Sequence, residues 1–192
     1  MAILNGLEVT VQVDDENVEE FEDPDDNAEE NGTFETTKYV EAKSGSSFAL
    51  SFRVPAAYRM ISPCLTFRYA VDDKDYGGAI ATNDQQRDRF GDIVLVRKGD
   101  MSHSGKRIEM RPFVFSEINI VEDGATRSVR MMKPDYLKVL GTIKCEVFRT
   151  KITRVHSKEE YIASLRNQVK TSMPVNTTEK QIKGQALSHS SQ

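Results

Sequence analysis

Carboxylates supply the densest chemistry in this chain. Residues 14–30 carry Asp14, Asp15, Glu16, Glu19, Glu20, Glu22, Asp23, Asp25, Asp26, Glu29 and Glu30, eleven acids in seventeen positions with no Lys or Arg among them. Oxygen-rich segments of this kind can hold a hard cation such as calcium, or they can capture a basic polypeptide. The strip contains no Asp-x-Asp-x-Asp-Gly run with a Glu at the twelfth position, so only weak, non-specific cation association is granted. No metal or cofactor is expected. Capture of a basic segment, such as a histone tail, is the stronger functional reading. The bland alternative is a solvated, self-repelling loop that keeps the chain soluble, or one folded back over the basic remainder of the chain. That remainder is real: with the eleven acids set aside, the net charge of −4 becomes +7, and the first basic residue is Lys38.

Catalytic constellations are not visible. His103, His156 and His189 are the three histidines, all in polar surroundings, and none has metal-ligand spacing to another His or to a Cys. Cys64 and Cys145 lie in apolar, strand-like stretches and read as buried free thiols. A cysteine nucleophile needs a neighbouring base to lower its pKa. His156 follows Cys145 closely, but their strand and loop settings give no reason for contact. The run from Gly99 to Arg107 looks at first like a phosphate loop. Five residues rather than four separate Gly99 from Gly105, however, and Arg107 stands where a magnesium-binding Ser or Thr belongs. It reads as a hairpin loop. The chain is therefore expected not to be an enzyme. The remaining enzymatic reading is a site gathered from distant loops around His103.

Nucleic acid ranks below protein partners. Arg87, Arg89, Arg97, Lys98, Lys106, Arg107, Arg127, Arg130 and Lys133 are spread over several loops, with no dense basic run and no aromatic RNA-binding motif. The N-terminus, MAILNGLEVTVQV, has neither a basic nor a continuous apolar signal region. No apolar run approaches the roughly 20 residues needed to cross a bilayer. The expected compartment is cytoplasmic or nuclear, with no secretion and no membrane partner.

The elements that must position these residues are strands. Leu7, Val9, Val11 and Val13 alternate with polar residues, as do Phe48, Leu50, Phe52 and Val54, then Leu65, Phe67, Tyr69 and Val71, then Ile143, Cys145 and Val147. Thr36 to Ala42 predicts a further strand, Ile93 to Val96 one buried on both faces, and Ile108 to Ile120 a strand or pair. Residues 72–78 read as a long turn. This spacing, with almost no helical periodicity before residue 155, predicts an all-β chain. The favoured architecture is an antiparallel β-sandwich, jelly-roll or immunoglobulin-like, over residues 1–156 with an acidic loop at 14–35. Ser157 and Glu160 have the form of a capping box, and Tyr161, Leu165 and Val169 recur every four residues. A short C-terminal amphipathic helix over about 158–169 is therefore expected. From Thr171 onward the composition predicts a flexible tail.

Several phrases run through the chain: Gly6-Leu7-Glu8-Val9-Thr10-Val11, Lys38-Tyr39-Val40-Glu41-Ala42 with Ser44-Gly45, and Arg111-Pro112-Phe113 with Phe115. Val121-Glu122-Asp123, Leu140-Gly141-Thr142-Ile143 and the closing Lys183-Gly184-Gln185-Ala186-Leu187-Ser188-His189 complete them. Together they resemble an uncharacterised fungal domain family of unknown function. The resemblance transfers no catalytic residue. It implies that relatives continue with further strand-like sequence, so that a partner chain could complete the fold. The leading expectation is a non-enzymatic protein-interaction or scaffold module, able to form homo-oligomers. The second is an acidic chaperone of the nucleoplasmin kind, which binds basic proteins.

Overall fold

Two-residue turns fix the first hairpins of the computed structural model, which describes residues 2–23, 35–104, 107–117, 119–121, 139–153 and 176–178. Asn5-Gly6 joins β1 (Ala2–Leu4) to β2 (Leu7–Val13), and Asp14-Asp15 joins β2 to β3 (Glu16–Asn17). Asp72-Asp73 joins β7 (Cys64–Val71) to β8 (Lys74–Thr82) in the same way. All six turn residues have φ between 50° and 77°. Consecutive left-handed residues give the turn whose twist matches that of the flanking strands. Asn and Asp enter that region because their short polar side chains bond locally.

The remaining strands are β4 (Glu20–Glu22), β5 (Lys38–Val40), β6 (Ser47–Val54), β9 (Ile93–Arg97), β10 (Gly99–Ser104), β11 (Arg107–Val114), β12 (Asn119–Val121), β13 (Ile143–Thr150) and β14 (Asn176–Thr178). A seven-stranded sheet follows the path β1-β2-β6-β11-β10, with β3 on β2 and β9 on β6. A three-stranded sheet runs β13-β7-β8. Pairs β4–β5 and β12–β14 stand apart; the latter is parallel and every other ladder is antiparallel. Among the described residues there is no helix.

Strand β6 is the hub. One edge pairs with β2, from Glu8↔Arg53 to Val13↔Phe48. The other edge is shared, with β9 opposite Leu50–Val54 and β11 opposite Ser47 and Phe48. Between these partners the chain leaves β9 at Lys98, whose carbonyl accepts the Phe113 amide at 3.1 Å. Gly99 then lies opposite Pro112. A Cβ there would sit 2.7 Å from the Arg111 carbonyl carbon and 2.8 Å from the Pro112 Cα, so the crossing admits only glycine.

Inward residues of both larger sheets form one core. Leu50, Phe52 and Val54 of β6, Leu65 and Phe67 of β7, and Ile93 of β9 are essentially inaccessible to solvent. The Phe52 ring lies 5.2 Å from that of Phe67 and 5.6 Å from that of Tyr69. Phe113 meets Tyr69 and Tyr76 edge-on at 6.4 Å and 5.0 Å. Ala79 and Ala81 on β8 are fully buried, small residues that let these rings approach.

Five sequence expectations change. The acidic segment is not wholly a loop, because β3 and β4 fall inside it. The turn at 72–78 shrinks to Asp72-Asp73, and Lys74–Gly78 opens β8. Gly99–Ser104 is a strand paired with Arg107–Pro112, which leaves two residues for the connection. The apolar run Ile93–Val96 is buried on one face only: Ile93 and Leu95 point into the core, while Val94 and Val96 are exposed. Asn176–Thr178, expected in the flexible tail, pairs with Asn119–Val121. A ladder draws on backbone groups, and β-branched Thr suits it. The expected helix at 158–169 lies outside the described residues, as do His156 and His189.

Candidate functional site

The acidic strip is tethered by two valines. Val18 and Val40 pack against the core, and the Val18 amide donates to the Val11 carbonyl at 3.1 Å. These anchors hold β3 against β2 and bring β4 beside β5, with Glu20, Phe21 and Glu22 opposite Val40, Tyr39 and Lys38. Opposite charges across the ladder favour that register, and Lys38 forms an ion pair with Glu22. Tyr39 donates its hydroxyl proton to Asp23 at 3.1 Å. At the hairpin tip, Lys98 reaches Asp15 at 2.6 Å.

The structure therefore places the predicted carboxylates in three groups. Asp14, Asp15, Glu16, Glu19 and Glu22 are exposed, and Glu20 and Asp23 are half-buried. Asp25, Asp26, Glu29 and Glu30 lie outside the described residues. Asp15 and Glu22 contact basic side chains of the chain itself, which agrees with partial fold-back over the basic remainder. Sequence reading missed the aromatic part of this surface. Phe21 is 50% exposed although it lies opposite the half-buried Tyr39, so an apolar ring stands among the acids. The signal available was the alternation Glu20-Phe21-Glu22 set against Lys38-Tyr39-Val40, masked by the charge density around it.

A second charged group is structural. Arg53 donates from Nη1 to Glu8 at 2.8 Å and from Nε to Asp92 at 2.7 Å. The other Asp92 oxygen accepts the Ala56 amide at 2.7 Å. Asp92 thereby ties the start of β9 to the chain leaving β6 after Pro55. The Ala56 amide, and then the Arg53 guanidinium, hold its carboxyl below the ordinary value of 3.8. The folded state binds this proton more weakly than the unfolded chain. Its stabilisation is complete above the unfolded value and is lost as pH falls through the lower folded one. Asp92→Asn should therefore lower the melting temperature at pH 7, and its deficit should shrink below about pH 4. Thermal denaturation of both proteins from pH 7 to pH 2.5 checks this. A deficit independent of pH would remove the charge from the explanation.

The thiols sit apart. Cys64 is buried, with Sγ 3.1 Å from the Thr150 carbonyl oxygen, and Cys145 is half-buried; both are free. Burial pushes the Cys145 thiol up to about 12, so at neutral pH it is held protonated and poorly nucleophilic. His103 falls in β10 opposite Ile108. Among the described residues, no three His, Cys, Asp or Glu are placed to hold a metal ion. No helix among them is long and apolar enough to cross a membrane.

Neither curated proteins nor solved structures give a match to this chain. A family profile does match, over residues 6–192, and covers the strands from β2 onward and the whole acidic strip. The chain belongs to the family described as Domain of unknown function (DUF7918).

Proposed function

We propose that the protein is a non-enzymatic interaction module whose acidic strip captures a basic partner segment. The observation that carries this reading is the presentation of the strip: Glu16 and Glu22 on short strands, Asp14 and Asp15 in the turn before them and Glu19 between them are all exposed, on a segment anchored through Val18. A scaffolded array of carboxylates loses less conformational freedom on binding than a free acidic loop would. Phe21 adds an apolar contact for the aliphatic stem of a Lys or Arg. The internal ion pair Lys98–Asp15 is a surface pair of a kind worth about 0–1 kcal/mol, weak enough for a partner's cation to replace, whereas Lys38, paired with Glu22, is largely covered. The supporting architecture proposed is an antiparallel β-sandwich, and the setting proposed is cytoplasmic or nuclear. A narrower version, favoured by the eleven acids in residues 14–30, is an acidic chaperone for basic proteins of the histone kind.

Deleting the strip would also remove β3, β4 and Val18, so neutralisation is the cleaner change. The variant replaces Asp14, Asp25 and Asp26 with Asn and Glu16, Glu19, Glu29 and Glu30 with Gln. Its affinity for a Lys/Arg-rich histone-tail peptide should fall by about tenfold or more relative to the native chain. Native binding should itself weaken between low and high salt. Equal, salt-insensitive binding by both proteins would turn attention from the strip to the sheet surfaces.

A further inference from the structure

The three-stranded sheet ends at β13, which pairs with β7 on one side and, among the described residues, with nothing on the other. Its inward side chains are incompletely covered. Ile143, Cys145 and Val147 pack against the core but are only partly buried, whereas their neighbours Phe67 and Tyr69 on β7 are buried. Unpaired backbone groups beside half-covered apolar side chains make an edge that can accept another strand.

Charge complementarity identifies that strand. We propose that β13 pairs with β13 of a second copy of this chain, antiparallel and centred on Cys145, so that the two three-stranded sheets become one of six. For the two copies to share a continuous core face, inward residues must lie opposite inward residues. Centring on Cys145 places Lys144 opposite the partner's Glu146 and Glu146 opposite the partner's Lys144, two attractive cross-strand pairs on the outer face. On the inner face, Ile143 meets the partner's Val147 twice over, around the central Cys145 pair. Neighbouring registers are worse. Centring on Glu146 sets two carboxylates face to face, centring on Lys144 sets two ammonium groups face to face, and centring on Val147 makes no charge pair. Arg149 falls beyond the favoured ladder, opposite the partner's Gly141. Such a two-fold, self-complementary contact is the commonest way soluble chains associate.

Lys144 and Glu146 already form an ion pair at 3.0 Å along the strand, and both are exposed. Glu146 also lies opposite Arg68 on β7, but Arg68 keeps its own ion pair with Asp75, and neither position contributes to the core. This interface is separate from the acidic strip and does not depend on its function. The test is sedimentation equilibrium of the full chain at micromolar concentration, where a dimer of the 21.7 kDa chain is expected. Lys144→Glu alone, or Glu146→Lys alone, places like charges opposite each other twice and should weaken dimerisation by about tenfold or more. The double variant Lys144→Glu/Glu146→Lys restores both pairs and should restore dimerisation to within a few-fold of native. A native chain that stays monomeric overturns the proposal, as does a dimer indifferent to the single reversals. Failure of the double variant to recover, with its circular dichroism unchanged, also overturns the register.

Discussion

Phe52→Ala should lower the unfolding free energy by about 3–5 kcal/mol, the usual cost of emptying a fully packed aromatic site. Phe52 has no solvent exposure, and it is the residue through which β6 meets both Phe67 and Tyr69 on β7. Truncation removes apolar burial and leaves a cavity that neighbouring strands close only partly, because β6 is pinned by ladders on both edges. Small domains are stable by only about 5–15 kcal/mol, so this single change consumes a large share. Urea denaturation should show a lower midpoint with an unchanged slope. Phe21→Ala, at an exposed ring, should stay within about 0.5 kcal/mol of native. Similar losses at the two sites would contradict the placement of the core.

Gly99→Ala tests a different kind of constraint. The added methyl carbon would collide with the backbone at Arg111 and Pro112, and backbone cannot swing aside as a flexible side chain can. The expected cost is about 1–3 kcal/mol, typical of overpacking. The damage should be local before it is global. The Phe113 amide, bonded to the Lys98 carbonyl at 3.1 Å, and the amides of the β10–β11 ladder should lose hydrogen-exchange protection first. Unaltered protection in the alanine variant would show that the strands cross with more room than this geometry allows.

Where strand periodicity was strong, sequence and structure agree on the inward residues, although in β6 Ala49 and Ser51 on the opposite face are buried as well. The inward sets of β2, β6, β7 and β13 were legible because alternation marks which face is buried, and one ladder register satisfies it. The disagreements share a cause in tertiary pairing. Lys74-Asp75-Tyr76-Gly77-Gly78 has poor strand propensity, yet β7 lies beside it as a template, and Gly78 fits where a Cβ would come within 3.2 Å of the Phe67 carbonyl oxygen. The run Ile93–Val96 suggested burial on both faces, but apolar composition alone cannot report which side of a sheet is covered. The acidic strip was visible from charge alone. Its internal strands were not, because the charges predict self-repulsion while Val18, Val40 and the Lys38–Glu22 pairing act across distant positions.

The position of β13 has a consequence for the order of assembly. Hairpins β1–β2, β2–β3 and β7–β8 close through two-residue turns and can form within microseconds. Strand β13 must return to β7 from Val71 to Ile143, a closure of roughly 70 residues that chain entropy opposes until the ladder forms. At ribosomal speeds of about 5–20 residues per second, the nascent chain holds β7 for about 4–14 seconds before its third strand emerges. During that interval Leu65, Phe67 and Tyr69 lie beside an unfilled lane, their apolar side chains awaiting a neighbour that synthesis has not yet delivered.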